Sequence, residues 1–205
     1  MYIPPAFRLE DRDAIVAVMR DNAFAVLVAH RGETVEISHL PLMVEERGAD
    51  LVIRGHVARA NPIVALIEAG ASATAVFSGP HAYISPDWYA SADQVPTWNY
   101  VAVHAGGRLQ AVPAAEDTTA LLADLSAEHE TPLAPKRPWT HGKMRDGLMA
   151  RMIKGVLAFE LPVERLEAKS KMAQNKKPED IAGAVKGLRG RGDVGNIAVA
   201  EIMEG

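Results

Sequence analysis

Short apolar runs separated by two-residue turn signals occupy the first sixty residues, and they commit this chain to a sheet built from hairpins. The run at 24–30 (Phe-Ala-Val-Leu-Val-Ala-His) is too short for a buried helix and reads as a buried strand. Arg31-Gly32 turns the chain into residues 34–44, where Val35, Ile37 and Leu40 precede Pro41. A proline inside a strand pattern predicts an edge or a bulge, because it cannot donate to a ladder. Arg47-Gly48 leads to a third run at 49–57, so the first three strands predict a meander.

Downstream, residues 72–77 and 156–161 read as further strands, the latter ending before Pro162. Residues 99–104 and 108–112 predict a hairpin across Ala105-Gly106-Gly107. Helices are expected at 9–21 with Asn22 as its stop, at 63–67, at 115–130 and at 142–151, with a tail at 178–205 broken between Gly190 and Gly195. Strands do not alternate regularly with helices, which argues against a doubly wound sheet. The pattern predicts an α+β protein, mainly β: an antiparallel barrel decorated by peripheral helices. A single domain spanning 1–205 is expected, with a basic helical extension at about 165–205.

Composition removes several chemistries. The chain has no cysteine, which excludes disulfides, thiolate catalysis and cysteine-ligated metals. No pair of its seven histidines has metal-ligand spacing on one helix or strand, so no metal is expected. No Gly-x-Ser-x-Gly, Walker loop or Gly-x-Gly-x-x-Gly is present. No apolar run would span a bilayer and no leader pattern opens the chain, so no membrane association and a cytoplasmic location are expected. Residues 136–191 carry fourteen Lys/Arg against six Asp/Glu, within a chain of net charge −4. That surplus fits either a solvated face or an approach to phosphate on a cofactor or nucleic acid.

Three stretches could carry a ligand. Six of the eleven aromatics fall between Phe77 and Tyr100 (Phe77, Tyr83, Trp88, Tyr89, Trp98, Tyr100), fitting either sheet core or a wall for a flat, partly polar partner. The string from Arg54 to Pro62 ends a strand and starts a helix, with Asn61 as cap and Pro62 following. Arg54, His56 and Arg59 lie within it, and Arg59 beside a helix start suits phosphate oxygens as well as it suits a salt bridge. Lys171, Gln174 and Asn175, flanking Met172, offer donors and acceptors to a polar ring system or form a solvated loop.

Several strings together resemble the PaiB-type family, the FMN-binding negative transcriptional regulators. They are Met1–Pro4, Ser38-His39-Leu40-Pro41-Leu42, Arg54–Pro62, Gly79-Pro80-His81-Ala82-Tyr83-Ile84-Ser85-Pro86, Val95-Pro96-Thr97-Trp98-Asn99-Tyr100 and Lys171–Asn175. The resemblance implies an FMN-binding split barrel, a homodimer with flavin at the subunit interface. It places the phosphate end at Arg59, Asn61 and the helix start that follows, with Arg54 and His56 also among the cofactor-binding residues. It implies backbone contacts to the isoalloxazine from His39, Leu40 and Pro41, and a pocket completed by Trp98, Asn99, Lys171, Gln174 and Asn175. Two positions depart from the family pattern. Ala173 replaces a common Ser and removes a hydroxyl, and Ser170 replaces a common Trp and removes an apolar cover. The implied functions are a flavin-dependent oxidoreductase or flavin sensor, or a regulator acting on DNA directly or indirectly. A flavin-free dimer binding a metabolite or protein is a third. No catalytic acid or base is assigned, with His56 and His81 as the candidates.

Overall fold

A computed structural model describes all 205 residues, as two compact units interleaved along the chain. One, here the hairpin unit, holds residues 23–76 and 105–166; the other, the tail unit, holds 1–22, 77–104 and 167–205.

In the hairpin unit, β1 (Phe24–Arg31) and β2 (Thr34–Pro41) pair antiparallel from Phe24↔Pro41 to Arg31↔Thr34. The connection uses Gly32 at φ 60°, a conformation that costs glycine nothing. On its other side β1 pairs β5 (Ser72–Ile84), from Val26↔Val76 to His30↔Ser72. A second hairpin joins β3 (Met43–Arg47) to β4 (Asp50–Ala58), and β4 pairs β8 (Val156–Lys171) from Val52↔Pro162 to Ala58↔Val156. The strand order is β2-β1-β5-β6-β8-β4-β3, with β6 spanning Thr97–Arg108 and the short β7 (Gln110–Val112) paired to β8.

The expected edge position of Pro41 is found: β2 ends the strand order. The expected meander is not. β2 and β3 lie at opposite ends of that order, because the chain switches between hairpins at Leu42. Leu42 is 1% exposed and its N–H donates to Ala23 O at 2.8 Å, so burial and a backbone bond fix the switch. The expected hairpin over 105–107 is also absent, since β6 runs straight through both glycines. A Cβ on Gly107 would sit 2.0 Å from Pro162 O, so that glycine serves close strand approach rather than a turn. β8 likewise continues through Pro162 instead of ending there.

Helices α2 (Ile63–Glu68), α3 (Ala115–Glu130) and α4 (Leu148–Ile153) complete this unit. α3 spans the expected residues and buries Thr118, Leu121 and Leu125. α4 starts later than its pattern suggests, because Gly147 before it is left-handed at φ 71°.

In the tail unit, α1 (Arg12–Asp21) is capped by Asp11, whose side chain accepts from Ala14 N at 2.8 Å, and it stops at Asn22 as expected. α5 (Pro178–Arg191) and α6 (Val194–Glu204) are separated by left-handed Gly192 and by Asp193, which caps α6. These helices are structural rather than appended. Ala184, Val185, Leu188, Val199 and Ala200 form one core cluster with Ala82, Ile84, Tyr89, Val101 and Met172. Burying Leu188 alone contributes about 2 kcal/mol. Trp88 lies against α5, where a Cβ on Gly187 would fall 2.2 Å from its indole, so the helix must lack a side chain there.

Candidate functional site

The sequence-predicted residues fall into two sets, one in each unit. In the hairpin unit, strand β4 alternates so that Leu51, Ile53, Gly55 and Val57 are buried, while Arg54 and His56 are half-buried. Arg54 is held by acids. Its Nη1 lies 3.1 Å from Asp124 and 3.3 Å from Glu45, and its Nε lies 3.7 Å from Glu160. Arg47 joins the same cluster through Glu160 at 2.6 Å and Glu45 at 2.9 Å. The Glu45 carboxyl is held below its usual range, chiefly by its hydrogen bond to Arg47. Arg54 is thus already neutralised by carboxylates.

His56 is partly buried, and burial alone pushes its imidazole below the ordinary value, so the ring is neutral near pH 7. Arg59 differs from Arg54 in being exposed; its backbone N–H donates to Gly155 O at 2.9 Å. Asn61 forms the expected cap, its Oδ1 accepting from Ile63 N at 3.1 Å. Its Nδ2 donates to Ser38 Oγ at 3.1 Å, which ties the start of α2 to the residue before His39. α2 is only six residues long, so any phosphate affinity here rests on Arg59 more than on the helix.

His39 is exposed, Leu40 is buried and Pro41 is half-buried. Because β2 ends the strand order, one edge of its backbone lies outside the ladder, where His39 to Pro41 can offer main-chain groups. The outward positions of β1 and β2 are apolar as well. Phe24 is 72% exposed, Val35 56% and Ile37 60%, and the Phe24 and His39 rings lie 6.3 Å apart.

In the tail unit, alternation along β6 splits Trp98 and Tyr100 from Asn99. Trp98 is 54% exposed and lies against Tyr83, centroids 6.0 Å apart and nearly perpendicular, and 6.3 Å from His81. Asn99 faces the core instead. It is fully buried, its Nδ2 donates to Met203 Sδ, and its Oδ1 has no partner. The aromatic cluster therefore divides: Phe77 and Tyr89 are core, Trp88 seats α5, and Tyr83, Trp98 and Tyr100 point outward.

Lys171 Nζ donates to Thr97 Oγ1. Its ammonium is lowered from the usual range by burial first, then by the neighbouring charges of Lys169 and Lys176. Gln174 shapes its own loop rather than reaching outward: Oε1 accepts from Met172 N at 2.8 Å and Nε2 donates to Ser170 O at 2.6 Å. Between them Ala173 is left-handed at φ 62°, and Asn175 follows, exposed.

One residue escaped the sequence reading. Lys169 is 6% exposed, donates to Tyr2 O at 3.3 Å and lies 5.0 Å from the Tyr100 ring centroid and 5.7 Å from that of Tyr2. No carboxylate pairs with it. A buried ammonium held by ring faces is a costly arrangement. Period-two spacing with Lys171 on one strand was the available signal.

Residues 1–165 match the protein family described as "Putative FMN-binding domain". The chain is 32% identical over 207 residues to "Protease synthase and sporulation protein PAI 2" of Bacillus subtilis, covering 100% of this chain and 97% of that one. An uncharacterized protein of Aspergillus fumigatus is 27% identical across 91% of this chain and 90% of its own. Among solved structures, the FAD and heme binding protein from Mycobacterium smegmatis aligns with a TM-score of 0.59 at 15% identity, covering 85% of this chain and 78% of that one. The flavocytochrome Anf3 from Azotobacter vinelandii aligns at 0.57 and 14% identity, covering 86% and 75%. At such identities the shared property is the fold, an antiparallel split barrel with peripheral helices.

Proposed function

This chain belongs to the PaiB-type family of FMN-binding domains, and we propose that it binds FMN as a homodimer and acts as a flavin-dependent oxidoreductase or flavin sensor. The observation that carries this reading is the outward face of the tail unit. Tyr83, Trp98 and Tyr100 offer aromatic surface there, with half-buried Lys171 and buried Lys169 near them and no acid paired to Lys169. Such a face suits a flat heteroaromatic ring that gains negative charge on reduction. FMN, when bound, supplies the redox chemistry itself; the protein's task is to hold and orient it.

In this reading Trp98 stacks on the ring system and Lys171 lies toward its polar edge, while Gln174 and Asn175 shape the loop that follows. Arg59, unlike Arg54, is open to phosphate, and Asn61 fixes the local turn that presents it. His39 to Pro41 contribute main-chain groups. The exposed apolar face of Phe24, Val35 and Ile37 supports pairing with a second copy. Each assignment is tested by itself, and either subunit of the dimer can supply each set.

The experiment is FMN titration of the wild type, Arg59→Ala and Trp98→Ala, followed by quenching of flavin fluorescence. Arg59→Ala should weaken binding by about 10- to 100-fold, the scale of a hydrogen bond to a charged group. Unchanged affinity in both variants would defeat the assignment. A regulatory role draws support from the similarity to PAI 2. Direct DNA contact gains little from the tail helices, where Arg189 is paired with Glu204 at 2.5 Å. A salt-sensitive shift of duplex DNA by the purified protein would establish it; no retardation at low salt would remove it.

A further inference from the structure

A second site lies within the hairpin unit. Between α3, α4 and the segment joining them is a cavity of about 540 Å³, lined among others by His56, Leu122, Leu125, Trp139, Met144 and Met152. That volume lies in the range of small-molecule pockets and far exceeds ordinary packing voids. No Asp, Glu, Lys or Arg lines it. An ion entering it would lose its hydration without finding a counter-charge, so the occupant is uncharged. Met144, Met149 and Met152 adapt their shape and favour aromatic edges, and Trp139 adds a ring face.

Polar recognition falls to few side chains: His56, and the exposed Thr140 and His141. The hydroxyls of Ser126 and Thr131 are already spent on the helix, donating to Leu122 O and Ala127 O. In His56 the Nδ1 is buried with no partner. An unpaired acceptor is better tolerated there than an unpaired N–H, which assigns the proton to Nε2, the other ring nitrogen of this cavity-lining residue. We propose that this cavity binds an uncharged aromatic molecule carrying one hydrogen-bond acceptor, such as a carbonyl, which receives the His56 Nε2–H. His56, which the resemblance counts among the flavin contacts, serves this cavity instead, and the cavity's chemistry differs from that of the proposed flavin site. FMN brings a phosphate dianion, and this cavity has no cation to meet it.

The test uses prodan, a neutral naphthyl ketone whose emission reports polarity, titrated into the full chain. One saturable site per chain is expected, with blue-shifted emission and energy transfer that weakens in Trp139→Phe. The anionic naphthyl probe 8-anilinonaphthalene-1-sulfonate should bind at least tenfold more weakly. Ala123→Trp fills the cavity and should reduce prodan affinity at least tenfold; Met152→Trp, at a 57% exposed position, should do the same in a variant whose melting is unaltered. His56→Phe should weaken prodan about fivefold by deleting one neutral hydrogen bond. Excess FMN should not displace the probe, and FMN affinity should survive both filling variants, so failure here leaves the flavin reading standing. Absence of saturable binding would overturn the proposal. So would equal affinity for the anionic probe, displacement by FMN, or unchanged prodan affinity in the filling variants or in His56→Phe.

Discussion

Two clusters of positive charge, one in each unit, are treated in opposite ways. In the hairpin unit Arg47 and Arg54 stand among Glu45, Asp124 and Glu160, so their charge is consumed locally. In the tail unit Lys169 lies beside the Tyr2 and Tyr100 rings with no carboxylate partner, and Lys171 donates only to the Thr97 hydroxyl. The difference shows that a count of basic residues says little about anion binding. Partners decide which cations remain for a ligand, and here Arg59 and Lys171 remain while Arg54 does not.

The contrast can be attacked through variants of graded effect. The largest concerns the scaffold of the ring face. Gly187→Ala drives a Cβ into the Trp88 indole and should cost about 3 kcal/mol in denaturant unfolding, since the ring cannot retreat without disturbing the core. A change below 1 kcal/mol would show that the α5–Trp88 packing is looser than the geometry implies. Next, Arg54→Ala should destabilise by about 1–2 kcal/mol by stripping Asp124 of its partner and leaving Glu45 and Glu160 to Arg47 alone, with the effect reduced because Glu45 and Asp124 are substantially exposed. FMN affinity should hardly move in that variant. A loss matching that of Arg59→Ala would erase the distinction between the two arginines. Trp98→Ala should weaken FMN by about 1 kcal/mol without lowering stability, because the indole is more than half exposed.

The smallest effect is one of pH. Burial lowers the His56 pKa in the folded state, so the unfolded chain binds a proton first as pH falls. Stability should be unaffected by His56 above about pH 6.5, then decline from that value down toward the folded pKa. Glu45 acts lower: its depressed pKa contributes stability above its usual range near 4.5, which is lost as pH falls further. In His56→Gln the decline just below pH 6.5 should flatten while the acid limb persists. An unchanged profile would mean that the imidazole is better solvated than its surroundings indicate.

Local signals in the sequence were legible where one residue decides the outcome. Asn22 ends α1, Asn61 caps Ile63, Pro41 marks an edge strand and the tail breaks at Gly192. Long-range choices were not. Gly106-Gly107 has the composition of a turn, yet the contact that explains Gly107 is Pro162 O, fifty-five residues away. The meander failed for the same reason: nothing local in Leu42 says that its N–H will bond Ala23 and send β3 to the far end of the order. Among the candidate site residues, β6 alternation could have separated Asn99 from Trp98 in advance. That Arg54 would be claimed by Asp124 of α3 could not be read, because the pairing depends on how the helix packs.

Visible absorption and sedimentation of the purified chain titrated with FMN test the central claim most directly. A structured, shifted flavin band saturating at one FMN per chain, on a particle with twice the chain's mass, is the predicted result. A monomer whose FMN spectrum matches that of the free nucleotide at every concentration would contradict it.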